Sequence, residues 1–379
     1  MSARIGLWLV GVRGSVGTTT TAGLAATASG LAAVTGLVTE LPDLQVGQLP
    51  ALPDIVVGGH DICSTPLPKR AEQLVEARVL PAGVPAAVAG ELAAADARVR
   101  AGYTAEDGDQ RGQVHRLAAD IREFASREQV DRVVVLNVSS TEAPVAAHPA
   151  HDSLEALERA WDAGESALPP SSAYAAAAFL AGAAFVDFTP STGAGLPALR
   201  ELAVREGLPW GGSDGKTGET LLKSVLAPMF AMRALRVRSW AGTNLLGGGD
   251  GATLADPAAC ESKAVSKARG LEAMLGEPVD GPVHIDYLAD LGDWKTAWDH
   301  VSFEGFLGTR MTLQFTWQGC DSALAAPLVI DLCRLMALAL ARGEVGPVPA
   351  LGFFFKDPVD SDEHRLAEQW TELLAWARR

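Results

Sequence analysis

The sequence is sparing with the residues that would announce a secreted, fibrous or nucleic-acid-binding protein. Four cysteines (Cys63, Cys260, Cys320, Cys333) stand in 379 residues and none forms a Cys-x-x-Cys pair. That usage excludes a disulfide framework and reads as buried, reduced thiols of a cytoplasmic protein. Basic residues are outnumbered, 31 Lys and Arg against 46 Asp and Glu, for a formal net charge of −15 at pH 7. A field of that sign disfavours nucleic acid and anionic membrane surfaces as partners. The N-terminus has no charged lead before an apolar run, so no signal peptide is expected. No uninterrupted apolar stretch is long enough to span a bilayer; Ala173–Phe188 is too short and too alanine-rich. Metal-ligand spacing is also missing. His148 and His151 are three apart, but Pro149 lies between them and no further ligand is in view.

What is present suits a large α/β protein. Hydrophobic residues make up 48% of the chain, enough for a sizeable core, and the length leads us to expect two domains. Few aromatics and many alanines and glycines favour close packing of helices on a sheet. An anionic substrate would then need a local basic pocket, because the overall field repels it.

The first motif follows Ile5–Val10, a short apolar run read as a buried strand. Gly11, Arg13, Gly14, Ser15, Val16 and Gly17 come next, and an alanine-rich helix to about Ser29. Strand, glycine turn and helix form the setting of a dinucleotide site. Gly11 permits the tight turn, Gly14 lets backbone N–H groups approach a diphosphate, and Gly17 allows close helix packing. Arg13 replaces the usual middle glycine, and a phosphate contact is one use for it. A second strand is expected at Ala33–Thr39, ending at Glu40. Asp61, after a third short strand, is preferred over Glu40 for the adenosine ribose hydroxyls. Leu67–Ala125 reads as a polar, helical, variable insertion over the nucleotide domain. The strand Val130–Val138 ends near Ser139, Ser140 and Thr141, where open sheets place ligands, so these are cofactor contacts. Ser171–Gly182 is expected to be helical and Ala184–Phe188 a strand.

The second motif is Asn244–Lys267. Gly247, Gly248, Gly249, Asp250 and Gly251 form a turn suited to an anion. Lys263 and Lys267 follow at i and i+4, so one helical face carries both ammonium groups. Such a pair repels itself unless something anionic lies between.

These stretches together resemble the myo-inositol-1-phosphate synthases. The family pattern Asn-x-Leu-Gly-Asn-Asn-Asp-Gly followed by Ser-Lys-x-x-Ser-Lys is met at Asn244, Leu246, Gly247, Asp250, Gly251 and the two Ser-Lys pairs, with Gly248 and Gly249 in place of the asparagines. Asp61 falls in a segment similar to Gly-Gly-Trp-Asp-Ile. Asp214, Lys216, Thr217, Gly218 and Thr220 resemble Gly-Asp-Asp-x-Lys-Ser-Gly-Gln-Thr, with Ser213 for the first aspartate. Asp293 and Lys295 fit Gly-Asp-x-Lys. Asp321 and Ser322 open a long apolar helix reaching about Ala341, and Lys356 ends a strand Phe353–Phe355. Asp187 and Phe188 stand where the family has Asn-Gly.

The resemblance implies an NAD-binding Rossmann-type domain at 1–230, completed by 345–379, and a catalytic α+β domain at 231–344 that also builds a homotetramer. It implies a hexose 6-phosphate substrate, glucose 6-phosphate closing to myo-inositol 1-phosphate, with no net redox: C5 is transiently oxidised, C6 enolises and attacks the C1 aldehyde, and C5 is reduced again. Lys356 and Lys263 are then assigned to the C5 and C1 oxygens, Lys267 and Lys295 to phosphate and enolate, and Asp293 and Asp321 to orienting lysines. Asp214 and Thr217, with Gly248, Gly249, Asp250 and Ser322, join the cofactor set; no metal is assigned. The departures around the site admit one alternative, fructose 6-phosphate closing to a five-membered ring. A simple dehydrogenase would not need four lysines, and a catalytically dead NAD sensor would have lost them.

Overall fold

The computed structural model describes residues 3–44, 49–247, 271–272 and 274–379. Gly248, Gly249, Asp250, Lys263 and Lys267, singled out above, lie outside the described residues.

Strands β1 (Ile5–Val10), β2 (Ile55–Asp61), β3 (Val99–Ala101), β4 (Arg132–Asn137), β5 (Ala184–Asp187) and β6 (Pro209–Gly211) come first, then β7 (Arg236–Leu246), β8 (Val283–Tyr287), β9 (Trp294–Glu304), β10 (Arg310–Cys320) and β11 (Gly346–Pro347). Seven of them form one sheet in the order β11-β6-β5-β4-β1-β2-β3, and its pairings are parallel. β1 lies at its centre, with Val10 level with His60 on one side and Asn137 on the other. All six of its residues are buried, because helices cover both faces. Alternation divides them: Ile5, Leu7 and Leu9 join one apolar core, Trp8 and Val10 the other. The first core is closed by helices Ser15–Ala28, Leu67–Glu76 and Asp321–Ala341, the second by Gln110–Glu128, Pro170–Leu180 and Pro197–Glu206.

A second sheet, order β10-β9-β7-β8, packs one face on helix Gly218–Met232 through Phe230, Val237, Trp240 and Val301. Its register matters for the site. Lys295 of β9 is level with Leu246 of β7 and Gly319 of β10, and helix Asp321–Ala341 begins two residues past Gly319. Strand pairing therefore delivers Lys295 to the start of that helix.

Three expectations change. Ala33–Thr39 is not a strand. The place beside β1 is taken by β2, and the chain here makes turns and the 3₁₀ turn Val38–Glu40. Buried Asp331 pins that turn, accepting from Val38 N (2.7 Å), Thr39 N (3.0 Å) and Thr39 Oγ1. Glu40 pairs with Arg334 at 2.6 Å and does not line the glycine turn's cleft. Leu67–Ala125 is not an accessory cover: it supplies edge strand β3 and apolar side chains to both cores. Phe353–Phe355 is not a strand but the end of a 3₁₀ turn, Pro349–Phe354, followed by one bridge to Gly215. Helix Asp321–Ala341 contributes Val329, Leu332, Leu335 and Met336 to the core shared with β1. By length and composition this helix could cross a bilayer. It is instead mostly buried in the protein, with Asp331 and Arg334 satisfied by the 38–50 segment.

Candidate active site

The glycine turn is shaped by contacts that exclude side chains. Gly11 has φ +85°, donates its N–H to the His60 carbonyl (2.9 Å), and would place a Cβ 2.8 Å from Ser139 Cα. Gly14 N donates to the Gly11 carbonyl at 3.0 Å. A Cβ on Gly17 would come within 2.5 Å of the Val12 carbonyl, so Gly17 seats the helix beneath the turn rather than facing the cleft. Helix Ser15–Ala28 starts with no side-chain cap and no acid in its first turn, leaving its first N–H groups open to an anion. Ser15 and Val16 line the cleft there.

Asp61, at the end of β2, accepts from Arg13 N and Cys63 N, both at 2.7 Å. Arg13 turns its guanidinium away from the turn, to Asp96 (2.9 Å) and the Cys63 carbonyl (2.8 Å). Asp96 also accepts from Leu67 N at 3.0 Å, so it ties the helix Leu67–Glu76 to the turn. One turn along that helix Arg70 donates to Ser15 Oγ at 2.7 Å. Arg70 was missed in sequence because nothing local marks it: its neighbours are ordinary helix formers in a segment read as variable.

At the strand ends, Ser139, Ser140 and Thr141 line the same cleft. Asn137 Oδ1 holds Ser139 through its N–H (3.2 Å) and hydroxyl (2.7 Å). The amide of Asn137 donates to Asp187 on the neighbouring strand (3.2 Å). Burial pushes the Asp187 carboxyl up to about 7, although Thr189 and Asn137 donate to it. Phe188 lines the cleft with its ring seated on Gly215, where a Cβ would stand 2.2 Å from the ring. Glu142 accepts from Ser171 N (3.0 Å) and Thr192 N (3.1 Å), a structural duty at a helix start. His148 and His151 serve their own loop, accepting from Ala150 N and meeting the Ala167 carbonyl.

The segment Asp214–Lys216 runs against Phe354–Lys356: Lys216 N donates to Phe354 O and Lys356 N to Asp214 O, each 2.7 Å. This short ladder sets Lys356 Nζ 2.8 Å from Asp214 Oδ1, with Asp214 in the left-handed region at φ +58°. Lys216 is buried behind it, its ammonium on Gln369 Oε1, and burial lowers its pKa to about 7. Lys295 Nζ is 2.5 Å from Asp321 Oδ1, which also accepts from Thr217 Oγ1 at 3.0 Å. Burial works to raise the Asp321 carboxyl, but Lys295, Lys356 and the Thr217 hydroxyl prevail and hold it below the usual range. Asp293 meets the Ser322 hydroxyl (3.4 Å); among the described residues it contacts no lysine.

These groups share one cleft of about 720 Å³, which runs from the glycine turn past the ends of β1 and β4 to Lys295, Asp321 and Lys356. Its first half fits a dinucleotide: a cradle no Cβ could enter, an uncapped helix start, and a carboxylate on the next strand end. The second half brings two lysine–carboxylate pairs to the same space.

The family model described as myo-inositol-1-phosphate synthase matches residues 5–378. Inositol-3-phosphate synthase 1 of Bacteroides thetaiotaomicron is 34% identical, over 97% of this chain and 94% of the relative. Inositol-3-phosphate synthase 1 of Oryza sativa subsp. japonica is 32% identical over 89% of this chain and 75% of its own length. In fold, the chain is similar to the Caenorhabditis elegans inositol-3-phosphate synthase, with a TM-score of 0.88 at 22% identity over 100% of this chain and 86% of that one. A myo-inositol-1-phosphate synthase-related protein from Thermotoga maritima gives 0.79 at 23% identity, with 98% of each chain covered. The chain thus belongs to the myo-inositol-1-phosphate synthase family, NAD-using enzymes of the intramolecular lyase and isomerase class.

Proposed function

We propose that this protein converts glucose 6-phosphate to an inositol phosphate by internal cyclisation. The observation that carries the reading is the meeting of Lys356–Asp214 and Lys295–Asp321 in one cleft with the glycine turn. NAD, when bound, supplies a reversible oxidant for one substrate hydroxyl. The chain's residues answer the negative charge that enolisation and ring closure place on oxygen. An ammonium held by a carboxylate at 2.8 Å is already oriented and needs no reorganisation as that charge appears. On this reading Lys356 faces the C5 oxygen, and Lys295 faces the phosphate or the enolate oxygen. Asp214, Asp321 and Thr217 hold the ammonium groups in place. Lys263 and Lys267 keep the roles the family resemblance implies, at the C1 oxygen and the phosphate.

The partition into a nucleotide-binding and a catalytic region is proposed to follow the two sheets. Self-association is proposed through the outer face of the four-stranded sheet, where Trp298 is exposed; a tetramer is the expected state by light scattering. Among the described residues Cys320 and Cys333 are buried free thiols, which suits a cytoplasmic enzyme, while Cys63 is exposed rather than buried as expected.

Product analysis tests the reading. The protein is incubated with NAD and either glucose 6-phosphate or fructose 6-phosphate, and phosphorylated products are identified by NMR. Inositol phosphate from glucose 6-phosphate alone is expected. A five-membered carbocycle from fructose 6-phosphate, which no relative above supports, would replace the substrate. NADH accumulating without cyclisation would reject both.

A further inference from the structure

We infer that Arg70 is the side chain that grips the diphosphate of the bound dinucleotide, in the position the sequence would give to Arg13. The inference rests on the glycine-turn cleft being the NAD site. Among the described residues, Arg13 and Arg70 line the cleft at the turn. Arg13 is committed elsewhere, its Nε and Nη1 engaged by Asp96 and the Cys63 carbonyl and its backbone N–H by Asp61. Removing it from that lattice would free Asp61 and release the Leu67 end of the neighbouring helix, since Asp96 holds both. Arg70 is differently placed. One Nη2–H reaches Ser15 Oγ (2.7 Å) and one Nη1–H reaches Gln73 Oε1 (3.1 Å). Its Nε–H and one N–H on each terminal nitrogen have no partner among the described residues.

The geometry is that of an anion clamp. Ser15 is the first residue of helix Ser15–Ala28, whose early N–H groups have neither a side-chain cap nor an acid beside them. Arg70, Gln73, Gly14 and Ser15 all line the cleft. A diphosphate lying on that helix start would meet backbone N–H groups from one side and a planar guanidinium fork from the other, which suits paired phosphoryl oxygens. The cation also has an electrostatic reason to be here. In a chain of net charge −15, a doubly charged diphosphate needs a local positive group that the field does not otherwise provide. The contact to Ser15 and the anchoring of the helix through Asp96 fix the fork before the ligand arrives, which reduces the ordering cost on binding.

Calorimetry on the full chain tests this, with NAD and adenosine as ligands and Arg70→Met and Arg70→Lys as variants. Charge-assisted hydrogen bonds of this kind predict that Arg70→Met weakens NAD about 10- to 100-fold and leaves adenosine unchanged. Arg70→Lys keeps the charge without the fork and is expected to recover part of the loss; it decides the matter if the methionine variant does not fold. Unchanged NAD affinity in either variant would overturn the proposal. Equal losses for NAD and adenosine would also overturn it, because they would show Arg70 supporting the fold alone. Failure of the parent chain to bind NAD would instead reject the glycine-turn site beneath it.

Discussion

Replacing Asp187 with asparagine should make the protein's stability less sensitive to pH in a direction opposite to ordinary acid unfolding. The side chain is 3% exposed and sits at the end of β5, between Asn137 and Thr189. Its pKa is raised from 3.8 to about 7 by burial. A group whose folded pKa is raised stabilises the fold below its unfolded pKa, and loses that contribution as pH rises through the folded value. The whole shift of roughly 3 units corresponds to about 4 kcal/mol at 1.36 kcal/mol per unit, as an upper bound for a group this deeply buried. Between pH 5 and pH 8 only the part from 5 to 7 is traversed, about 3 kcal/mol. An amide at this position carries no charge, so the Asp187→Asn variant should gain that amount relative to the parent over this interval. Any fixed cost of exchanging carboxyl for amide, such as a misdirected N–H toward Asn137, cancels in the difference. Urea unfolding of both proteins at pH 5 and pH 8 measures it. A stability difference that stays constant within about 0.5 kcal/mol across that range would refute the claim that burial outweighs the Thr189 and Asn137 hydrogen bonds at Asp187.

Lys216 gives the mirror case. Its folded pKa is lowered to about 7 by burial, so stability is lost as pH falls from its unfolded value to 7, because the unfolded chain takes up a proton that the buried amine does not. Lys216→Met should gain about 3 kcal/mol relative to the parent between pH 9 and pH 6.5, read from the same denaturant curves. Lys356→Met should lower kcat by roughly 10²- to 10³-fold, because it removes an ammonium held 2.8 Å from Asp214 in the cleft, and a rate within a few-fold of the parent would show the lysine to be a bystander. Gly11→Ala should abolish NAD binding in calorimetry, since the new Cβ meets Ser139 at 2.8 Å on a backbone with φ +85°; retained affinity would mean the turn is not the cradle.

Local pattern carried far where the physics is local. The run Ile5–Val10, the glycine turn and the alanine-rich helix behind it are one strand–turn–helix unit whose residues are neighbours in sequence. The helix opening at Asp321 and ending at Ala341 was equally legible, from its apolar length and its acidic first residue. Family resemblance reached further than periodicity, because it ordered Lys295, Asp321 and Lys356 along the chain before any contact was known. Ala33–Thr39 misled because β-branched and apolar residues satisfy a strand pattern. What holds them is Asp331, nearly three hundred residues away, which accepts their N–H groups instead of a strand doing so. Phe353–Phe355 misled for a similar reason, with three aromatics read as a strand while Phe353 and Phe354 close a 3₁₀ turn and Phe355 makes a single bridge.

Sequence by itself therefore determined the family, the parallel α/β class, the glycine turn and the identity of the charged residues available for chemistry. Tertiary structure alone decided who partners whom. Asp321 takes Lys295 because β9 and β10 pair in one register, and Asp214 takes Lys356 because a two-rung ladder aligns segments far apart in the chain. Arg13 is withdrawn by Asp96, and Arg70 arrives from a helix that the sequence read as an insertion. Propensity and spacing act over a turn or a strand, whereas a hydrogen-bond partner is set by packing that brings distant segments within about 3 Å, and that information belongs to no local stretch of sequence.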